Sequence, residues 1–166
     1  MHDTSLHTMR IFIEENGLRD GKTIVDIGSY NINGSYRSLF DGSQSKYIGV
    51  DIIPGPNVDI LIDSPKWKAL KNVDAVISGQ TFEHVVDIPL LLNQINKILK
   101  SGGLLCVIVP SQGPAHSYPI FRGNFTVEEM SGLVSDAGFI VDSCTITQVP
   151  IWFDCCCIAH KAKAVK

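Results

Sequence analysis

The chain has 166 residues, a length typical of one domain, and 45% of them are hydrophobic, which is enough to build a core. The formal net charge of −3 argues against a strongly basic surface and therefore against a nucleic-acid partner. No apolar run reaches the roughly 18–20 residues of a membrane span, and residues 1–10 lack the apolar centre of a signal peptide. We therefore expect a single cytoplasmic domain over residues 1–166, with no membrane span.

The first half of the chain alternates short apolar runs with turns. In chain order it predicts an N-terminal helix over 7–16 within residues 1–20, a strand over 23–27, a short helix over 34–40, strands over 47–52 and 58–62, and a turn or two of helix over 67–71. Gly17 closes the first helix, and the proline and glycine residues at 54–56 break the second strand.

The second half continues the alternation and ends in two strands. It predicts a strand over 74–78, a helix over 89–99, a strand over 104–109, a helix over 126–137, and strands over 139–147 and 152–160. Residues 101–103 are expected to cap the helix over 89–99, and Thr126 with Glu129 has the spacing of a capping box. Together these elements predict an α/β fold with an open, mostly parallel sheet and an antiparallel edge.

Two further features concern the loops and the cysteines. Residues 111–124 form the one long connection and are rich in glycine, proline, histidine and aromatic residues, so we expect a functional loop that contacts substrate.

The five cysteines include three in a row at 155–157 and lack the spacing of a metal site, so we expect buried, reduced thiols and no metal.

The most informative segment is Ile-Val-Asp-Ile-Gly-Ser-Tyr-Asn-Ile-Asn-Gly-Ser at residues 24–35. A buried strand ends at Asp26, and a loop follows that contains Gly28 and Gly34. Such a loop lets the backbone approach a ligand closely. It is not G-x-G-x-x-G, which disfavours a nicotinamide-dependent oxidoreductase. An acid two residues before the first glycine fits S-adenosylmethionine better, because the amino group and sulfonium of that cofactor are cationic.

Four segments, residues 24–35, 47–51, 74–84 and 99–110, resemble class I S-adenosylmethionine-dependent methyltransferases in order and spacing, and the small type 11 group most. Within that group, Asp-Ile-Gly-Ser-x-x-x-Asn-Gly-Ser resembles members associated with sugar or cell-surface polymer pathways. The resemblance implies a Rossmann-like, doubly wound, seven-stranded, mostly parallel sheet with an antiparallel final strand and helices on both faces. One departure is that Tyr30 and Ile32 stand where the commoner loop has its second and third glycines.

Each predicted cofactor contact has a chemical reason and a structural alternative. Asp26 would hold the cofactor's ammonium, Asp51 the two ribose hydroxyls, and Asp63, by resemblance, the adenine amino group, with Ile52 against the adenine face. Alternatively, Asp26 caps the loop that follows it, Asp51 is a solvated acid at a strand end, and Asp63 caps a helix or a turn. The full predicted set is Asp26, Gly28, Ser29, Tyr30, Asn33, Gly34, Asp51, Ile52, Asp63, Ser64, Ser78, Gly79 and Gln80.

The acceptor side is predicted from the long loop and from the helix start after the fourth strand. His116 and His84 are the candidate proton-transfer residues, since an imidazole titrates near neutral pH. Tyr118, Arg122 and Asn124 are candidate substrate contacts. The alternative is a loop held by its own polar contacts and a Glu83–His84 pair that caps a helix.

The sequence therefore predicts methyl transfer from S-adenosylmethionine, with S-adenosylhomocysteine as product, to a small-molecule acceptor such as a sugar or a cell-surface precursor. The alternative is a non-catalytic or partner-dependent binding module that keeps this fold, suggested by Tyr30 and Ile32 in the loop. A homodimer is a further expectation, because a second copy could supply a substrate lid.

Overall fold

Among the residues that the structure describes, seven strands form one sheet. The structure is a computed structural model, and it describes residues 3–32, 34–112, 123–148 and 153–163. The strands are β1 Thr23–Ile27, β2 Lys46–Asp51, β3 Ile60–Leu61, β4 Val73–Gly79, β5 Leu99–Gln112, β6 Phe139–Gln148 and β7 Phe153–Lys161. The α-helices are α1 Asp3–Glu15, α2 Pro65–Lys68, α3 Ile88–Ile98 and α4 Val127–Asp136, and 3₁₀ turns form at Tyr36–Phe40 and Phe82–His84.

The strand order is β3-β2-β1-β4-β5-β7-β6, and every pairing is parallel except those that β7 makes with β5 and β6. The predicted mixed α/β sheet with an antiparallel final strand is therefore confirmed. The chain runs outward from β1 through β2 to β3, then returns to place β4 on the other side of β1. This reversal is the switch point at which α/β sheets bind ligands, outside the carboxyl ends of the strands.

Helices cover both faces of the sheet, as predicted for a doubly wound fold. On one face, α3 and α4 bury Leu92, Ile95 and Met130 against residues such as Val25 and Leu105. On the other face, α1 and the 3₁₀ turn Tyr36–Phe40 bury a second cluster. Its members are Met9, Phe12, Ile13, Leu18, Ile24, Tyr36, Leu39, Phe40, Ala75, Ile77, Cys106, Ile108 and Cys156. Because successive strand residues point to opposite faces, Ile24 and Val25 belong to different clusters.

Several predicted boundaries need correction. The first helix begins at Asp3 and not at residue 7, and the helix predicted over 34–40 is a 3₁₀ turn that Ser35 caps by accepting from Arg37 N. Residues 101–103 do not cap α3. Helix α3 ends at Ile98, β5 begins at the next residue, and the β4–β5 register shifts between Val73 and Ala75. Gly102 takes the positive φ of +71° within this irregularity.

Two smaller predictions concern α4 and the cysteines. Thr126 and Glu129 form the predicted capping box at the start of α4. All five cysteines are free thiols, and burial raises the pKa of Cys155 and Cys157 above the ordinary thiol value, which keeps both protonated. In the described part of the chain, no helix is long and apolar enough to cross a membrane.

Candidate functional site

The loop after β1 is pressed between β2 and the segment that follows β4. Gly28 N and Ser29 N both donate to Val50 O, at 2.9 and 3.1 Å. Gly28 has a φ of +78°, and a Cβ on this residue would lie 2.0 Å from Thr81 Oγ1. Position 28 therefore requires glycine for two reasons, its left-handed backbone and the close approach of Thr81.

Tyr30, at a position where the commoner loop has glycine, is held by the turn that follows β2. A Cβ on Gly55 would lie 2.0 Å from Tyr30 Cε2, so the Tyr30 ring lies directly on this glycine. Ile32 is 75% exposed, and Gly34 N donates to Asn31 Oδ1 at 2.9 Å. Asn33, a predicted cofactor residue, lies outside the described residues. The substitution of Tyr for Gly thus has a packing partner on the β2 side of the loop.

Asp51 ends β2 with both carboxylate oxygens fixed by backbone groups. Oδ2 accepts from Tyr30 N at 3.0 Å, and Oδ1 accepts from Ile52 N at 2.7 Å. The carboxylate therefore joins the loop after β1 to the end of β2. Ile52, beside it, is 76% exposed and presents an apolar side chain at this edge. A fixed acid next to an exposed apolar surface fits a ribose hydroxyl pair next to a flat base.

Asp26 lies at the end of β1 with only 3% of its surface exposed. Tyr47 Oη donates to Asp26 Oδ2, and Asn57 Nδ2 donates to Tyr47 Oη at 3.1 Å. The Arg37 guanidinium lies over the Tyr47 ring, 4.4 Å from its centre. Burial raises the pKa of Asp26 from 3.8 to about 7, although the Tyr47 hydrogen bond opposes this shift. A neighbouring ammonium group would favour the ionised carboxylate.

Two predicted cofactor residues have hydroxyls that already bond to the backbone. Ser64 caps α2, because its Oγ accepts from Trp67 N at 3.3 Å and donates to Leu61 O at 2.5 Å. Ser78 is fully buried and donates to Ile27 O at 2.8 Å, which joins β4 to β1. Asp63, next to Ser64, is exposed. The hydroxyls of Ser64 and Ser78 thus have structural partners, whereas the Asp63 carboxylate reaches the surface.

The predicted acceptor residues are only partly described. His116, Tyr118 and Arg122 lie outside the described residues. Asn124 is exposed and precedes Phe125, whose N donates to Pro110 O at 2.9 Å, so Asn124 lies at the carboxyl edge of the sheet. His84 Nε2 lies 3.8 Å from Glu83 Oε1, in the 3₁₀ turn that follows β4.

A group of polar residues lies at the same edge, which we name the Asp154 cluster: Ser5, Tyr36, Gln80, Glu83 and Asp154. Sequence reasoning named Gln80 and Glu83 but missed Ser5, Tyr36 and Asp154. Gln80 Nε2 donates to Asp154 Oδ1 at 2.9 Å, and Ser5 Oγ donates to Asp154 Oδ2 at 3.4 Å. The one local signal was an acid inside the apolar run of β7, where Asp154 is 3% exposed. Predicted cofactor residue Gln80 thus bonds to a buried acid.

Gln80 and Gly79 show how tightly the end of β4 is built. Gln80 has a φ of +55°, a conformation that non-glycine residues adopt at a cost of about 1–3 kcal/mol and that often marks functional sites. Its backbone N donates to Ile108 O at 2.8 Å. A Cβ on Gly79 would lie 2.0 Å from Tyr36 Oη, so only glycine leaves room for that hydroxyl.

The carboxyl ends of β1, β2 and β4 therefore bring together a glycine loop, a backbone-fixed acid and a buried acid. This donor set fits a nucleoside with a cationic amino-acid tail, which is the chemistry of S-adenosylmethionine. Within the described ranges, no group of three or more His, Cys, Asp or Glu side chains could hold a metal ion.

Comparison with known proteins agrees with this geometry. The profile of a family described as "methyltransferase domain" matches residues 4–141. No curated protein sequence matches the chain.

Three solved structures illustrate the fold. 1,6-Didemethyltoxoflavin-N1-methyltransferase from Burkholderia thailandensis, with bound 1,6-didemethyltoxoflavin and S-adenosylhomocysteine, is 17% identical, with 96% of this chain and 79% of that chain covered and a TM-score of 0.76. Magnesium protoporphyrin IX methyltransferase from Synechocystis PCC 6803, with bound S-adenosylmethionine, is 13% identical, with coverage of 96% and 79% and a TM-score of 0.67. A methyltransferase from Aquifex aeolicus, described as S-adenosylmethionine-dependent, is 16% identical, with coverage of 95% and 98% and a TM-score of 0.66.

The family match spans well over half of the chain, and the sheet has the same fold as these enzymes. The chain belongs to the family of methyltransferase domains, and its fold is that of class I S-adenosylmethionine-dependent methyltransferases.

Proposed function

We propose that this enzyme transfers the methyl group of S-adenosylmethionine to a small-molecule acceptor, with a sugar or a cell-surface precursor as the first candidates. The main support for S-adenosylmethionine as the methyl donor is the Asp51 carboxylate, which accepts from Tyr30 N and Ile52 N at the end of β2. A carboxylate that is already oriented can accept from two vicinal hydroxyls without reorganisation.

The proposed cofactor contacts follow the edge of the sheet. Asp51 holds the ribose and Ile52 covers the adenine, with Asp63 at the adenine amino group. Asp26 attracts the ammonium, and its burial strengthens that attraction because water screens it little. The loop completes the site through its backbone, and its proposed residues are Gly28, Ser29, Tyr30, Asn33 and Gly34.

When bound, S-adenosylmethionine supplies an electrophilic methyl group on a sulfonium, and S-adenosylhomocysteine, a neutral thioether, is a good leaving group. The chain's own task is therefore to position the acceptor and to exclude water. Gln80 and Gly79 lie at the end of β4, where acceptor and cofactor would meet. His84 and His116 are the proposed proton acceptors for a hydroxyl or amine, and Tyr118, Arg122 and Asn124 are proposed acceptor contacts.

The small-molecule acceptor class is supported by charge and by the related enzymes. The net charge of −3 does not favour a nucleic-acid substrate. The Burkholderia enzyme was crystallised with bound 1,6-didemethyltoxoflavin, and the Synechocystis enzyme is named for magnesium protoporphyrin IX. A homodimer that shares acceptor residues between copies is part of the proposal, and a fully active monomer in solution would contradict that part.

The acceptor proposal is tested by incubating the enzyme and S-adenosylmethionine with a panel of sugars, amino sugars and nucleotide sugars. Mass spectrometry then measures the methylated product and the S-adenosylhomocysteine formed. At limiting S-adenosylmethionine, Asp51→Ala should lower turnover in proportion to its lost cofactor affinity, whereas Asp136→Ala, at an exposed carboxylate in α4, should keep it. Turnover with oligonucleotides and with none of the small molecules would overturn the proposed acceptor class.

A further inference from the structure

The Asp154 cluster lies on the opposite side of β4 from the loop that follows β1. In the sheet order, β1 flanks β4 on one side, and β5 and then β7 follow on the other. Asp154 pairs with Pro110 at the carboxyl end of β5, and the Ser5 hydroxyl reaches it from α1. The cluster therefore lies beyond the end of β4, away from the proposed contacts of the ribose and base.

One buried polar atom of this cluster, Glu83 Oε2, has no hydrogen-bond partner among the described residues. Tyr36 Oη likewise makes no hydrogen bond of ordinary geometry there, although the nearby Ser5 hydroxyl opposes the effect of burial, which raises the pKa of Tyr36. Glu83 is 2% exposed and Tyr36 is 4% exposed, so water cannot readily satisfy them. Burying unpaired polar atoms destabilises a fold, and their retention at a ligand edge indicates that a ligand completes them.

The charge in the cluster selects the kind of ligand. Glu83 and Asp154 are both buried acids, and Asp154 helps to raise the pKa of Glu83, after the larger effect of burial, from 4.5 to about 8. Burial and Asp154 together keep Glu83 protonated near neutral pH, and a bound ammonium group would favour its ionised carboxylate, so the pair favours a ligand that brings positive charge. An anionic ligand, such as a carboxylate or a phosphate, would be disfavoured by the Asp154 carboxylate, which accepts from Gln80 Nε2 and Ser5 Oγ.

We propose that the Asp154 cluster is the acceptor-recognition end of the site, and that it takes an acceptor whose bound end carries an amine. The amine donates to Glu83 and Asp154, and Gln80 orients the Asp154 carboxylate through its Nε2 hydrogen bond. Gln80 is thus a positioning residue, and its left-handed backbone keeps its amide on Asp154. This inference rests on the proposed methyl transfer to a small molecule and narrows the acceptor to an amine-bearing compound, such as an amino sugar.

The test uses matched pairs of probes that differ only in amine versus hydroxyl. The pairs are glucosamine with glucose, and benzylamine with benzyl alcohol. Each probe is titrated into the isotope-labelled enzyme, with and without S-adenosylhomocysteine, and NMR follows the side-chain amide of Gln80. We expect at least one amine to shift this signal saturably, at about tenfold lower concentration than its alcohol partner.

Asp154→Asn should remove the preference for the amine, because the neutral amide offers one acceptor and no charge. Glu83→Gln tests the same claim independently if Asp154→Asn fails to fold. Asp142→Asn, at an acid on the surface of β6, is the matched control and should leave the preference intact.

Equal responses to amine and alcohol in both pairs would overturn the inference, as would an amine preference that persists in Asp154→Asn and Glu83→Gln. Failure of the proposed function gives a different result. In that case S-adenosylhomocysteine does not bind by calorimetry, while the titrations without it still test recognition of amines by the cluster.

Discussion

The structure allows an estimate of how much Gly28→Ala, in the loop after β1, lowers the free energy of unfolding. A Cβ at position 28 would lie 2.0 Å from Thr81 Oγ1 and 2.7 Å from Thr81 Cβ, far inside contact distance. The φ of +78° adds the left-handed penalty of an alanine, about 1–2 kcal/mol. Forcing apart a packed contact adds about 1–3 kcal/mol.

Gly42→Ala is the matched control, because Gly42 has a φ of +68° and no neighbouring atom lies within 4 Å of the place that an alanine methyl would occupy. It should lower the free energy of unfolding by only the left-handed penalty, about 1–2 kcal/mol. Gly28→Ala should lower it by about 2–5 kcal/mol, from the penalty and the contact together. Urea unfolding followed by circular dichroism measures both values.

The same pair separates stability from cofactor binding. Gly28→Ala displaces the loop whose backbone approaches the cofactor, so calorimetry should show S-adenosylhomocysteine affinity at least about tenfold weaker. Gly42→Ala should bind as the wild type does. If the two variants match in both stability and affinity, then Thr81 does not constrain the loop and the reasoning is wrong.

Four further predictions follow from named contacts. Asp51→Ala should weaken S-adenosylhomocysteine binding by about 1–3 kcal/mol in calorimetry, because charge-assisted hydrogen bonds are lost; wild-type affinity would remove Asp51 from the site. Burial raises the pKa of Asp26 from 3.8 to about 7, so the folded state keeps a proton that the unfolded state loses. As the pH rises from 3.8 to about 7, the free energy of unfolding should therefore fall. Urea titrations at several pH values measure this slope, and Asp26→Asn should flatten it. Tyr36→Phe removes a buried hydroxyl that makes no ordinary hydrogen bond among the described residues and should raise the unfolding free energy by about 1 kcal/mol, whereas a decrease would show that this hydroxyl has a stabilising partner such as Ser5. Thr126→Ala breaks the capping box of α4 and should lower the free energy of unfolding by about 1 kcal/mol, which thermal unfolding detects as a lower melting temperature. An unchanged melting temperature would show that the cap does not stabilise the protein.

The sheet could be predicted from the sequence because its strands carry strong local patterns. Strand β1 occupies the predicted residues 23–27, and the capping box at Thr126 marks the start of α4 correctly. Local patterns fail where tertiary contacts decide the structure. Strand β3 has only two residues, Ile60–Leu61, and pairs with the end of β2. The glycines at 102 and 103 form an irregularity in β5, because strand pairing with β4 overrides their tendency to end a helix.

The residues of the candidate site also fall into two groups: those that local sequence patterns predict, and those that only the folded structure brings together. Asp26, Gly28 and Asp51 could be predicted because each lies at the carboxyl end of a buried strand or directly after it, and their cofactor roles remain proposals. The Asp154 cluster could not be predicted, because Ser5 and Asp154 are 149 residues apart in the chain and no motif links them. The packing of Tyr30 on Gly55 is also a product of the fold, since the two residues meet only when the β1 and β2 loops lie side by side.

The central claim is that this protein binds S-adenosylmethionine, and calorimetric titration of the purified protein tests this claim most directly. S-adenosylmethionine, S-adenosylhomocysteine and, as a control, NADH are titrated into the wild type and into Asp51→Ala. We predict saturable binding of both sulfur cofactors, no binding of NADH, and weaker binding in the variant. Absence of binding by either sulfur cofactor, or equal affinity in Asp51→Ala, would contradict the claim.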